Sequence, residues 1–314
     1  MLQIYRIESA RVQAVDEGTI GPDSLADYWL DLHDPTPADR ARIEQARGVN
    51  LPAIGDVREI EATSRFFADD DGLHLRIWFL GQVDGVLTRK PAAFVLSEHR
   101  LISMCWGHVD SFEALRAGRK LGGRHTSPSA VLFKLLELHL DQVADLLESV
   151  YEAIEGHWSC PDDATQVSLE NQLKEICRME GDRHKVRLAL MDLQQVLAGL
   201  EREEAVTKDD AYRFDAIQRD LESLLEHSDF ISEKLDFLMN MLVSRLNLID
   251  NRVGKILSVV ALVFLPPTLI AAVYGMNFHH MPELDWPWSY PLALLAMLAS
   301  AVIPYVIFKW KCWL

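Results

Sequence analysis

Apolar residues recur along this chain with changing period, and each period predicts a different kind of element. In the first third the runs LQIYRIE, YWLDL, SRFFADD, LHLRIWFL, AAFVLSE and RLISMCW are short and rich in β-branched and aromatic residues. Turn signals such as DEG, GPD, DDDG and VDG punctuate them, so they read as strands. PTPADRARIEQA supplies a helix, with Thr36 as its N-cap and Pro37 in its first turn. Asp110 is placed as the cap of a second short helix, and Gly118, Gly122 and Gly123 mark a break before Ser127-Pro128.

From Pro128 the period lengthens to that of a helix. Leu132, Leu136, Val143, Leu147, Val150 and Ile154 share one face, and SCPDDAT ends that run. Leu169, Leu173, Ile176, Leu190, Leu193, Leu197 and Leu200 share another face, closed by the polar EREEAVTKDD. A third run, Phe214, Ile217, Leu221, Leu224, Ile231, Leu235, Leu238 and Leu242, is spaced three and four alternately, with Ser228 as a polar interruption. That is a heptad seam. No Pro or Gly stops it before Gly254, which predicts one very long helix feeding directly into the next segment.

That segment is uncharged from Ile256 to Val273 and on through Phe278. Eighteen helical residues span about 27 Å, close to the hydrocarbon thickness of a bilayer. A second uncharged run, PLALLAMLASAVIPYVIF, covers Pro291 to Phe308. Arg252 and Lys255 precede the first span, and Lys309 and Lys311 follow the second. The connecting loop holds Glu283 and Asp285 but no Lys or Arg. The positive-inside rule then predicts cytoplasmic termini and an outward loop. Trp286, Trp288 and Tyr290 at one interface, with Trp310 and Trp313 at the other, fit an aromatic belt. The expected fold is an α+β membrane protein. Its parts are a cytoplasmic α/β domain (1–127), a helical hairpin (128–209), a long stalk helix (210–255), a first span (256–274), an outer loop (275–290), a second span (291–308) and a basic tail (309–314).

The net charge of −16 is unevenly spread. Four cations against two carboxylates beyond Asn251 leave about −18 on the rest. Such a body repels nucleic acid and attracts cations, or serves only as a soluble, self-repelling surface. Cys105, Cys160, Cys177 and Cys312 are scattered without CxxC or zinc spacing, as expected of reduced thiols. The N-terminal residues lack the basic head and apolar core of a signal peptide. No nucleotide-binding G-x-x-x-x-G-K-[ST], HExxH or Ser-His-Asp pattern points to an enzyme, and no organic cofactor is expected.

The chemistry concentrates at the end of the first span. Pro266-Pro267 removes the partners of the Leu262 and Val263 carbonyls, which means either a packing kink or a kink in a pore helix. YGMNFHHMPELDWPWSY follows. Gly275 is suited to ending the helix, and Asn277 carries a neutral amide carbonyl. Neutral carbonyls can hold the water shell of a hydrated Mg²⁺, which loses its waters reluctantly, and still release it. His279-His280 is either a polar loop element or an imidazole pair for Co²⁺, Ni²⁺ or Zn²⁺.

YGMNF followed by MPEL, close after FLPPT and before a basic tail ending Trp-Leu, resembles the CorA magnesium transporter family. EIEATSRFFADDDGLHLR and KVRLALMD extend that likeness over the chain. The resemblance implies a homopentamer in the bacterial inner membrane, with the first span lining a shared pore for Mg²⁺ and, secondarily, Co²⁺ and Ni²⁺. It implies a selectivity filter at Gly275, Met276 and Asn277, supported by Tyr274 and Phe278. Asn251, Leu257, Leu265 and Thr268 fall where the family's pore-lining residues lie, and Glu283 at the outer mouth. It also implies closure by internal Mg²⁺ acting as a regulatory ligand. Asp220, in RDLESL, resembles a family stalk carboxylate, with Asp84 as its suggested partner. The rival readings are zinc transport of the ZntB type and a membrane-tethered sensor or scaffold that does not conduct.

Overall fold

The computed structural model describes residues 2–8, 11–15, 27–57, 65–117, 121, 127–157, 166–203, 206–276 and 286–310. By contacts the chain divides into two units. One comprises Met1–Pro161 with Lys174–Leu238, and the other Asp162–Leu173 with Met239–Leu314.

The first unit is built on a seven-stranded sheet in the order β2-β1-β3-β7-β6-β5-β4. Its strands are β1 (Leu2–Glu8), β2 (Arg11–Val15), β3 (Tyr28–His33), β4 (Phe66–Asp69), β5 (Gly72–Val83), β6 (Val86–Ser97) and β7 (Arg100–Cys105). All neighbours pair antiparallel except β3 and β7, which run parallel from Tyr28 opposite Arg100 to His33 opposite Cys105. The alternating runs form strands as expected. β2 is an addition: only Val12 of RVQAV is buried, so its apolar alternation is weak. The VDG turn joins β5 to β6 with Asp84 and Gly85 both at positive φ, 51° and 75°, the backbone a two-residue hairpin loop requires. The segments DEG and GPD and the glycines 118, 122 and 123 lie outside the described residues.

Both faces of the sheet are covered. Tyr28, Leu30, Leu32, Ala93, Val95, Ile102 and Met104 point to one face and pack with Ile43 of α1 (Pro37–Arg47) and Val57 of α2 (Ile54–Val57). Thr36 caps α1 as expected, with Asp39 completing a capping box. The other face carries Trp29, Asp31, Phe94 and Ser103 and meets α3 (Asp110–Arg116) and α4 (Pro128–His157). Asp110 is not the cap of α3. Val109 occupies that position without a side-chain bond, and Asp110 is the first helical residue, paired with His108 at 3.0 Å.

A buried polar network fixes α3 to the sheet. The Asp31 carboxylate accepts from Ser103 at 2.8 Å and from Arg116 Nε at 2.7 Å and forms an ion pair with Arg116 Nη2 at 2.7 Å, while Trp29 Nε1 donates to Ser103 at 2.8 Å. Asp31 is 1% exposed, so removing Arg116 would strand a buried charge. Burial, helped by the Asp31 charge, pushes the neighbouring Cys105 thiol up to about 12.

Two further helices complete this unit: α5 (Gln166–Arg202) from Lys174 onward, its first turns belonging to the second unit, and α6 (Ala211–Tyr274) as far as Leu238. Of the heptad seam, Phe214, Ile217, Leu221, Ile231, Leu235, Leu238 and Leu242 are buried and Leu224 half-buried, with Ser228 fully buried among them. Arg187 of α5 reaches Asp229 at 2.7 Å and the Leu225 carbonyl at 3.2 Å on α6. Arg213 of α6 donates to the Leu121 carbonyl at 2.7 Å. α5 approaches the sheet edge closely at Gly199, where a Cβ would lie 2.4 Å from the Phe66 ring. In the second unit α6 continues to Tyr274, and α7 (Ser289–Trp310) follows. The expected single helix from the seam into the span is therefore present, through Pro266 and Pro267.

His139 of α4 is fully buried against Phe79, with ring centroids 4.5 Å apart, and neither ring nitrogen has a hydrogen-bond partner among the described residues. Burial pushes its pKa down to about 4. The unfolded chain takes up a proton near pH 6.5, whereas the folded chain resists it until about pH 4. His139 therefore adds no protonation cost above pH 6.5 and costs progressively more stability as pH falls between these values, in total about 3 kcal/mol. Thermal melts of wild type and His139→Leu at pH 7 and pH 5 test this. The variant gains relative to wild type on acidification, whereas an unchanged difference contradicts the assignment.

Candidate ion-conducting site

The two apolar helices of the second unit are both long enough to cross a bilayer, and neither buries its apolar window in its own chain. Along α6 from Asn251 onward the half-buried positions are Val259, Leu262, Val263, Pro266, Pro267 and Ile270, a stripe at helical spacing. Val259 and Val263, with Ala301, Val302 and Tyr305 of α7, line a shallow apolar cleft of about 300 Å³. The two prolines thus sit on the stripe half-covered by protein, where a kink serves packing. Trp286, Trp288, Tyr290 and Trp310 are exposed at the ends of α7, where the aromatic belt was expected.

The rest of the span is exposed, including Val253, Ile256, Val260 and Phe264, and the side opposite the half-buried stripe has no cover. Asn251, Leu257, Leu265 and Thr268 are all exposed, with Leu257 at 70% and Leu265 at 67%. Gly254, Ser258, Ala261 and Ala272 fall on the same side at spacings of three and four and are exposed as well. Sequence reading had singled out four larger residues. The small ones between them carry the same period and were available as a signal. The hydroxyls of this face serve their own backbone: Ser258 donates to the Gly254 carbonyl at 2.8 Å and Thr268 to that of Phe264 at 2.6 Å. The face contains no charged side chain from Leu257 to Met276.

α6 ends at Tyr274, which is 41% exposed. Gly275 and Met276 turn the chain, with Gly275 N donating to the Ala271 carbonyl at 2.9 Å and Met276 N to that of Val273 at 3.3 Å. The helix thus stops at Gly275, as expected, and does so with a φ outside the left-handed region. Asn277, Phe278, His279, His280 and Glu283 lie outside the described residues.

Asp220 is exposed on α6 and Asp84 is exposed in the β5–β6 turn. No hydrogen bond or ion pair joins them among the described residues. Neither has an ion pair or hydrogen bond from its side chain among the described residues.

A sheet domain, a very long helix and two apolar C-terminal helices, the first presenting an uncovered face that ends in Gly-Met, define a membrane protein of the ion-transporter class. The protein-family model described as "CorA-like Mg2+ transporter protein" matches residues 26–310. The chain belongs to that family. It is 34% identical to the magnesium transport protein CorA of Haemophilus ducreyi and 33% identical to that of Escherichia coli, in each case over the whole of both chains. Its fold matches that of the complete CorA magnesium transporter from Methanocaldococcus jannaschii, with a TM-score of 0.75 over 98% of this chain and 97% of that one at 18% identity. The resemblance read from the GMN loop is thereby borne out, as is the fold class.

Proposed function

We propose that this chain forms a Mg²⁺ channel driven by the membrane potential, with Co²⁺ and Ni²⁺ as secondary ions. The observation that carries this reading is the uncovered, uncharged face of α6, because a chain with two spans has nothing of its own to put there. Rotational copies bring such faces together around one axis, and the family likeness supports five of them. Gly275, Met276 and Asn277 form the filter at the outer end, with Tyr274 and Phe278 in support and Glu283 drawing cations to the mouth. Asn251, Leu257, Leu265 and Thr268 line the wall. Neutral carbonyls hold the hydrated ion weakly enough for it to leave. A potential of 100 mV supplies about 4.6 kcal/mol for a divalent ion, so no ATP hydrolysis is required. The charge placement supports an inner-membrane protein with both termini cytoplasmic, and the domain division at 127, 209, 255, 274, 290 and 308 belongs to the same reading.

Flux into liposomes separates this reading from zinc transport and from a scaffold that does not conduct. Asn277→Ala lowers Mg²⁺ uptake more than about tenfold while assembly on native gels is unchanged. Normal Mg²⁺ uptake by an assembled Asn277→Ala channel removes the filter.

The pore face has its own test. In a background lacking Cys160, Cys177 and Cys312, a cysteine at Leu265 crosslinks neighbouring copies through a short bifunctional thiol reagent, and one at Val263 does not. Cys105 can remain, since burial makes its thiol inert. Equal crosslinking at the two positions contradicts the assignment.

Regulation follows from the acidic body. Carboxylates brought together across subunit boundaries repel, and Mg²⁺ bound between them holds the ring closed. Asp220 and Asp84, exposed and without an ion pair among the described residues, suit contacts between copies. Internal Mg²⁺ is expected to inhibit the wild-type current, and Asp220→Lys to relieve that inhibition. A wild-type current indifferent to internal Mg²⁺ ends the regulatory reading.

A further inference from the structure

The β4–β5 hairpin gathers three metal-ligating side chains that the conduction pathway does not use. Asp69 pairs with Gly72 across the turn and Phe67 with His74, so Asp69 and His74 are diagonal neighbours on one face of the ladder. Their contact is direct, with His74 Nε2 2.9 Å from Asp69 Oδ1. Asp71, in the turn, brings its carboxylate to the same place, and one donor atom from each of the three residues lies within 4.8 Å of the others.

The turn is held firmly. Gly72 has a φ of 136°, and a Cβ there would lie 2.3 Å from the Leu96 carbonyl oxygen, so no other residue fits without shifting backbone. Asp71 N donates to Asp69 Oδ1, and Asp71 Oδ2 accepts from Asn50 N, both at 2.9 Å. The His74 side chain is only 4% exposed, and its ring stacks on Phe67 at 4.4 Å with 7° between the planes. The imidazole is therefore fixed in orientation, with Nε2 directed at the carboxylates. Among the described residues, no Lys or Arg forms an ion pair with Asp69 or Asp71. Both carboxylates line an open cleft of about 470 Å³, shared with Ser97, Ser127 and Thr207.

The geometry points to a binding site for a divalent transition ion, of the Ni²⁺, Co²⁺ or Zn²⁺ kind, at Asp69, Asp71 and His74. Two carboxylates and one imidazole are a donor set for such ions. Mg²⁺ prefers oxygen alone and keeps its waters. An ion at about 2.1 Å from each donor requires the two carboxylates to turn about the buried ring, and Asp69 Oδ1 to give up its bonds to the ring and to Asp71 N. His74 then carries its remaining proton on Nδ1 and gives Nε2 to the metal. Asp69 exchanges its hydrogen bond to the ring for a bond to the ion, and solvent from the cleft completes the shell. This site does not depend on the transport reading, since it lies wholly within the sheet domain.

The test uses the full-length protein in detergent with any affinity tag removed. Ni²⁺ is titrated by calorimetry into wild type, His74→Gln and Asp71→Asn, and the melting temperature is recorded with and without Ni²⁺. Asp71→Asn keeps an oxygen for the Asn50 N–H and guards against a folding defect in the buried His74 variant. Ions bound elsewhere, at His279 or His280, appear in every titration and cancel in the comparison. The expected result is one class of Ni²⁺ site weakened at least about tenfold in both variants, loss of the corresponding Ni²⁺-dependent rise in melting temperature, and no displacement by excess Mg²⁺. Identical titrations for all three proteins overturn the site. Displacement by Mg²⁺ as readily as by Zn²⁺ overturns its assignment to transition ions.

Discussion

Backbone in a bilayer must be satisfied internally, and the helix is one of the few forms that allows it. Within that constraint a conducting protein still has to offer ions a surface other than lipid. The second unit meets the first demand with two helices and leaves the second to assembly. α6 half-buries one stripe, Val259, Leu262, Val263, Pro266, Pro267 and Ile270. On the other side, Asn251, Gly254, Ser258, Ala261, Leu265, Thr268 and Ala272 face away with nothing over them. Small residues let copies of a helix approach, and the few larger ones narrow the space that remains. The uncovered stripe is the feature on which the functional reading depends. Its lack of charge matters as much as its exposure, because a carboxylate on a narrow pore wall would hold a bare divalent ion too tightly to pass it on.

Periodicity made most of the architecture legible. The seam from Phe214 to Leu242 keeps its three-four spacing and is buried almost throughout, because a helix repeats its faces and packing follows the repeat. The two spans were equally plain from length and charge. What the sequence could not show depends on partners distant along the chain. The parallel pairing of β3 with β7 joins residues about seventy positions apart, and no local pattern encodes it. β2 escaped notice because an edge strand with one buried residue has little alternation to detect. Asp110 looked like a cap by residue type, yet the backbone of Val109 takes the position and Asp110 pairs with His108 instead. His139 reads in sequence as one polar residue on an apolar helix face, and nothing local says that neither ring nitrogen finds a partner.

The candidate site divides in the same way. Gly275 and Met276 were legible as a motif and stand where a helix stops, with Gly275 outside the left-handed region. The residues proposed for the pore wall come from likeness to a family, whereas the small residues between them follow from spacing alone. The DDDG run had an evident role as a turn. That it also aims a buried imidazole at two carboxylates appears only once the hairpin register sets Phe67 opposite His74.

The distribution of charge ties these parts together. Beyond Asn251 the chain is nearly neutral, with its cations at the ends of the spans, while the preceding part carries about −18. Conduction and recognition place opposite demands on ligands. A pathway needs weak, neutral contacts that an ion leaves quickly, and a sensing or holding site needs charged or imidazole donors that keep it. Those two kinds of group are segregated along this chain. The uncovered face of α6 offers an asparagine, small hydroxyls and apolar side chains, whereas the carboxylates lie on the sheet domain, on α4 and α5, on α6 up to Asp250, and beyond it at Glu283 and Asp285. An ion held by carboxylates therefore meets groups that the stretch from Leu257 to Met276 does not contain.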